Sequence, residues 1–219
     1  MKNMSRHPAP EELLLDYAAG NLPEGPALAV ALQVALDPGV RRTVERLRDV
    51  GGALLDQSAA AALDEGALER TLSRLDAAPV EGPAPPARQP GFDWAPVALA
   101  HYLPAGARWK RVFGGFEQID VPLRADTHRA ALLRLAPGQG LPVHRHVANE
   151  YTVVLQGGYT DNTGNYVAGD FAIGPGPHAH QPIADPGDPC IALIVLEKPI
   201  VLTGAAGLFL NPLLRWGWL

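Results

Sequence analysis

The chain has 219 residues, 47% hydrophobic and 19% charged, with a net charge of −5. That length allows one large or two small domains with real cores, and no apolar run approaches the length needed to cross a bilayer. The acidic balance argues against a nucleic-acid surface, and the single cysteine, Cys190, excludes an internal disulfide framework and fits a reducing cytosol.

In chain order, the opening "MKNMSRHPAPEELLL" has no apolar stretch behind its basic residues, so the expectation is a cytoplasmic chain without a secretory leader. "EELLLDYAAG" predicts a short helix stopped by Gly20. "GPALAVALQVAL" predicts a second, apolar helix that Asp37-Pro38-Gly39 interrupts. "VRRTVERLRDVGGALLDQ" carries Val40, Val44, Leu47 and Val50 on one stripe, with its charges on the solvated face. A fourth helix follows through Leu68, Leu72 and Leu75, so residues 1–78 read as a small four-helix unit. Residues 79–91, "PVEGPAPPARQPG", are rich in proline and poor in apolar anchors, the composition of a semi-extended linker. From residue 92 the grammar changes to short strands punctuated by Gly, Pro, Asp and Asn. Candidates span 108–113, 117–122, 128–135, 150–156, 159–161, 166–167, 170–173, 181–183 and 190–196, with "TDNTGN" as a hairpin turn. Many short strands with regular turns indicate a barrel or sandwich.

Within this region the ionisable residues fall into register. Gly138, His144, His146, Glu150 and Gly157 follow the pattern G-x5-H-x-H-x3-E-x6-G. A second segment places Pro175 and His180 after Gly169 at the spacing G-x5-P-x-G-x2-H-x3-N, with Pro177 in place of the inner glycine and Ala184 in place of the asparagine. Together they resemble the two signatures of the cupin superfamily. The physical reason for the spacing is independent of that resemblance. Alternate residues of a strand share a face, so His144 and His146 point the same way, and the even spacing keeps Glu150 on that side. His180 closes the set from a distant strand, and His178, two residues earlier on the same face, is the alternative fourth ligand or a supporting group. Three imidazoles and a carboxylate suit a divalent metal, and Zn, Fe, Mn, Ni or Cu all accept these ligand types. His7, His101 and His128 fall outside the register. Tyr151, Tyr159, Gln181 and Glu117 have no spacing that assigns them a role beside the metal.

Longer stretches carry a closer resemblance. "LLRLAPGQGLPVHRHVANEYTVVLQGGYTDNTGNYVAGD" and "DPGDPCIALIVLEKPIVLTGAAGLFLNP" resemble the cupin domain of the ChrR family of zinc-dependent anti-sigma factors, and "HPAPEELLLDYAAGNLPEGPALAVALQVAL" is similar to the start of that family's helical domain. The resemblance implies an α+β chain, a small N-terminal helical bundle followed by an all-β cupin barrel (a double-stranded β-helix, or jelly roll) over 92–219. It implies a transcriptional regulator that sequesters a sigma factor of the extracytoplasmic-function type, with zinc in the barrel as the part that answers oxidative stress or singlet oxygen. It also implies a second zinc site in the helical domain, from an early histidine and an H-x3-C-x2-C motif. Here His7 fits the histidine, but Gln33, Asp37 and Val40 stand at the other positions, and a valine cannot ligate. No zinc is expected there, and "DPG" reads as a plain turn with His7 as an ordinary exposed residue.

The expected partner is therefore the sigma factor, with neither nucleic acid nor membrane, and a homodimer stays open. The alternative function is a metal-dependent, dioxygenase-like cupin enzyme whose helical unit dimerises or binds another partner. Trp216, Trp218 and Leu219 are expected to pack on the barrel or a dimer partner, and Cys190, in "PCIALIV", to be an apolar filler.

Overall fold

The computed structural model describes residues 5–77, 89–112, 115–124, 126–174, 176 and 178–203. Most of the expected linker, Pro175 and Pro177 of the second motif, and Trp216, Trp218 and Leu219 lie outside the described residues. Helices α1 (Glu11–Ala19), α2 (Glu24–Leu36), α3 (Pro38–Asp56) and α4 (Ala67–Asp76) come first, then a single turn, α5 (Val97–Ala100). Strands follow as β1 (Lys110–Arg111), β2 (Glu117–Val121), β3 (Arg129–Leu135), β4 (His144–Arg145), β5 (Glu150–Gln156), β6 (Gly158–Thr160), β7 (Asn165–Val167), β8 (Phe171–Ile173), β9 (Ile183–Ala184), β10 (Cys190–Leu196) and β11 (Val201–Leu202). They form an antiparallel six-stranded sheet in the order β1-β2-β3-β10-β5-β8, a three-stranded sheet β7-β6-β9 and the pair β11-β4.

The apolar runs of β3, β5 and β10 are explained by burial on both faces. In β10, Ile191, Leu193 and Val195 pack with the helices, while Cys190 lies in the second apolar cluster, inside the barrel. In β5, Val153 and Leu155 join the helices and Val154 the interior; in β3, Ala130 and Leu132 join the helices and Leu133 and Leu135 the interior. Leu32, Leu132 and Leu193 are fully enclosed in the helix–sheet core, each stabilising the fold by roughly 1.5–3 kcal/mol through burial.

Helix α2 is apolar nearly all round because it lies between α1 and α3 on one side and β5, β10 and α5 on the other. Gly25 is required at its start, since a Cβ there would stand 2.7 Å from Cγ1 of Val195. Its N-cap residue, Pro23, makes no side-chain cap bond. The barrel supplies the acceptor instead: Asp126, in the loop before β3, accepts from the Gly25 N–H at 2.6 Å. Helix α3 starts on its own cap, Asp37, which accepts from Val40 N–H at 3.1 Å, with Pro38 at the first helical position.

The four-helix expectation is modified in one respect. Helix α4 buries no residue, and Leu68, Leu72 and Leu75 are 61%, 50% and 65% exposed, so the packed unit is α1–α3 with α4 apart from it. On α3, Val40 and Val44 are buried but Val50 and Leu54 project into solvent. Leu47 packs against the core, so of the expected stripe only its last residue, Val50, is surface.

Candidate metal centre

The strands bring together the histidines that the spacing picked out. His144 and His146 flank Arg145 on one side of the β4 segment, and both are buried. His144 and His180 exchange both backbone hydrogen bonds, at 3.1 and 2.8 Å, which locks the two segments side by side. Gly176 C=O accepts from His146 N–H at 3.1 Å, and Glu150 C=O from Gly174 N–H at 2.8 Å. A Cβ on Gly174 would be crowded at this crossing, 3.0 Å from the Glu150 Cβ and 3.2 Å from the His146 ring.

The Nε2 atom of His180 lies 2.8 Å from that of His146 and 3.0 Å from that of His144. Their ligand atoms form a buried group within 4.8 Å of one another. The outer ring nitrogens face acceptors: His144 Nδ1 meets Pro142 C=O at 2.8 Å, and His180 Nδ1 meets the Asp161 carboxylate at 2.9 Å. Glu150 stands beside this group rather than within it, with Oε2 at 3.4 Å from His146 Nδ1 and Oε1 accepting from the Thr152 hydroxyl at 3.0 Å. His178 is exposed and lies outside the cluster.

Burial decides the charge states. It pushes His144 down to about 4, and it pushes His146 down to about 3 with help from the neighbouring imidazoles. Glu150 is pushed up to about 7, again by burial. Burial also pushes Asp161 up, but hydrogen bonds from His180 and Thr163 outweigh it and hold the carboxylate down at about 2. His144 and His146, held neutral by burial, converge with His180 beside two carboxylates, the donor types that a divalent transition metal accepts, so the residues present fit such an ion. A cavity of about 40 Å³ adjoins them, lined by His144, Glu150, Thr152, Tyr159 and His180 among apolar side chains. A larger, open groove of about 570 Å³ crosses the outer side, lined by Asp161, Asn162, His180 and Gln181. Cys190 also lines the smaller cavity, where burial and then the Asp185 charge push its thiol up to about 12, so it is a filler there and not a nucleophile.

The four positions matched to a second metal site also converge, with different chemistry. Gln33, fully buried, accepts from Ala9 N–H at 2.9 Å and donates to His7 C=O and to Gly169 C=O, both at 3.0 Å. Asp37 accepts from the Ser5 and Gly39 amides as well as Val40, bonds that hold its carboxyl below the usual range although burial pushes it up. Val40 is buried in the helix core. The His7 ring turns away to the barrel, where its Nδ1 lies 3.2 Å from buried Asp170 and the ring rests on Tyr166 with centroids 4.6 Å apart. The His7 side chain is 40% exposed, but it is tied to Asp170 rather than being the ordinary exposed residue expected. Asp170 also accepts from the amides of Arg6, His7 and Val167, so the N-terminal strap is clasped onto the barrel. Sequence reasoning missed Asp161, Asp126 and Asp170. Each is an acid at a turn or loop whose partner is remote in the chain, and the only local signal for Asp161 was the hairpin turn it opens.

A jelly-roll barrel with three inward histidines on its paired strands and a carboxylate beside them defines a cupin, carried here behind a helical unit. A model of the ChrR cupin-like domain matches residues 100–199. Anti-sigma-E factor ChrR of Cereibacter sphaeroides is 34% identical over 213 residues, 96% of this chain and 98% of that protein. The ChrR chain in the crystal structure of Rhodobacter sphaeroides SigE in complex with the anti-sigma ChrR is similar to it, with a TM-score of 0.72 and 33% identity over 87% of this chain and 98% of that one. The chain belongs to the ChrR family of anti-sigma factors.

Proposed function

We propose that this protein sequesters a sigma factor of the extracytoplasmic-function type, and that a divalent metal held by His144, His146, His180 and Glu150 makes the barrel its stress-responsive part. The similarity to a chain crystallised with its sigma factor, extending over both the helical and the barrel regions, carries this reading. In it, residues 1–78 present the sigma-facing surface, 79–91 connect and 92–219 form the metal cupin. The exposed leucines of α4 and the outer half of α3 supply an apolar surface that no described residue of this chain covers, as a docking helix needs. The metal would fix the three imidazoles and the carboxylate in one arrangement and, when lost or displaced, release it. Zinc fits this role best, being redox-inert and content with nitrogen and oxygen ligands.

The test is co-expression of the full chain with an extracytoplasmic-function-type sigma factor of the same organism, followed by co-purification and metal analysis. The expected result is a stable complex with about one metal atom per chain. His144→Ala should lose the metal, and Leu68→Glu with Leu72→Glu should weaken the complex at least tenfold while leaving the fold and the metal intact. A chain that captures no sigma factor, or holds no metal while folded, overturns the corresponding half of the reading.

A further inference from the structure

We infer that Asp161 is the positioning residue of the histidine cluster, holding His180 in the tautomer whose Nε2 lone pair points at the metal; this rests on the metal reading above. The Asp161 side chain is only 2% exposed and that of His180 4%. Oδ2 faces His180 Nδ1 at 2.9 Å. Oδ1 is committed elsewhere, accepting from Thr163 N–H at 2.8 Å, the Thr163 hydroxyl at 2.6 Å and Gly164 N–H at 3.2 Å, the bonds that close the β6–β7 hairpin.

Because a carboxylate can only accept, the proton of the neutral ring must sit on Nδ1. Nε2 is then left bare, 2.8 and 3.0 Å from the other two Nε2 atoms. His144 is set the same way by Pro142 C=O, also an obligatory acceptor. Asp161 adds a negative charge that the carbonyl lacks, across the imidazole ring from the cation it would help to hold. Outer carboxylates of this kind raise the basicity of a ligating imidazole and fix its plane.

Asparagine at 161 cannot reproduce both halves of the arrangement. If its oxygen stays on the Thr163 and Gly164 amides, its NH2 faces His180 and forces the ring proton onto Nε2, the ligating atom. If the amide flips, the NH2 confronts two backbone N–H donors and the hairpin turn is lost. Flipping would forfeit two backbone N–H bonds to keep one at His180, so the oxygen stays on the turn, and Asp161→Asn disturbs the ligand-setting contact while sparing the turn.

The experiment uses the full chain with its metal stripped, titrated with Zn(II) against a chromophoric chelator, and nitrogen-15 NMR of the histidine rings in the metal-free protein. Wild type is expected to bind zinc and to show His180 protonated at Nδ1. Asp161→Asn should bind zinc 10- to 100-fold more weakly and show the His180 proton moved to Nε2. Thr163→Val, which loses a turn bond but leaves the Asp161–His180 contact, should keep the wild-type tautomer and lie within about threefold of wild-type affinity. An unchanged affinity and tautomer in Asp161→Asn overturns the inference while leaving the metal reading standing. So does an equal loss in Thr163→Val, which would assign the effect to the turn. Failure of the wild type to bind zinc removes the metal reading itself.

Discussion

Gln33 stands where the family resemblance implies a ligating histidine, and its amide has taken over the cross-linking by hydrogen bonds to Ala9, His7 and Gly169. In a site with no exposed surface, each abandoned polar partner costs about 1–3 kcal/mol. Gln33→Ala strands the Ala9 N–H and the Gly169 C=O, while the His7 C=O keeps its bond from the Phe171 N–H, and water entering the vacated space recovers part of the loss. We expect urea unfolding of the full chain to show about 2–4 kcal/mol of destabilisation; a change below about 1 kcal/mol would mean that the strap is held by packing alone. The same contrast explains what was legible in the residues. His144, His146 and His180 could be found because strand periodicity and motif register are local properties of the chain. The polar clasp could not, because Gln33 and Gly169, or His7 and Asp170, become neighbours only after the helices lie on the sheet.

Among the elements, α2 depends most on what surrounds it. Its apolar composition was readable as a core helix, and the apolar strands as doubly buried, but nothing in either pattern says that each covers the other. Its first turn is capped from the barrel by Asp126, which also accepts from the backbone N–H of His128 at 3.0 Å and contacts the His128 ring. Burial pushes the Asp126 carboxyl up, but the bonds from Gly25 and His128 outweigh it, and the net shift is below the ordinary 3.8. A carboxyl whose value is lowered by folding stabilises above its unfolded value, and that contribution disappears as the pH falls through the folded value. Wild type should therefore exceed Asp126→Asn by about 1–2 kcal/mol at pH 6. The gap should close progressively as the pH drops below 3.8. Urea titrations of both proteins at pH 6 and across the acid range check the sign; a gap that widens in acid would contradict this account of the cap.

At the scale of the molecule, the change of texture after residue 78 marks a boundary in composition, while the core crosses it. Leu28, Val30, Leu32 and Val44 belong to the same buried cluster as Ile119, Leu132, Val153, Leu193 and Val195. Polar ties join the same two regions, among them Asp126 on α2, Glu24 on Arg124, Gln33 on Gly169, and Asp170 on the strap. Helices and barrel sharing a core should unfold together, as one cooperative transition. A ligand of the barrel then stabilises the helices too, by the mass-action amount RT ln(1 + [L]/Kd), about 2.7 kcal/mol at a hundredfold excess over Kd. Helical circular dichroism and the fluorescence of the four tryptophans should give coincident urea transitions, and Zn(II) added to the stripped chain should shift both by the same amount. A fragment ending at residue 77 would bare the sheet-facing side of α2 together with its cap, and should aggregate or unfold non-cooperatively. If the helical signal instead melts apart from the tryptophans and ignores zinc, the shared core is too weak to carry information. Metal occupancy in the barrel could then reach the sigma-facing helices only through the partner itself.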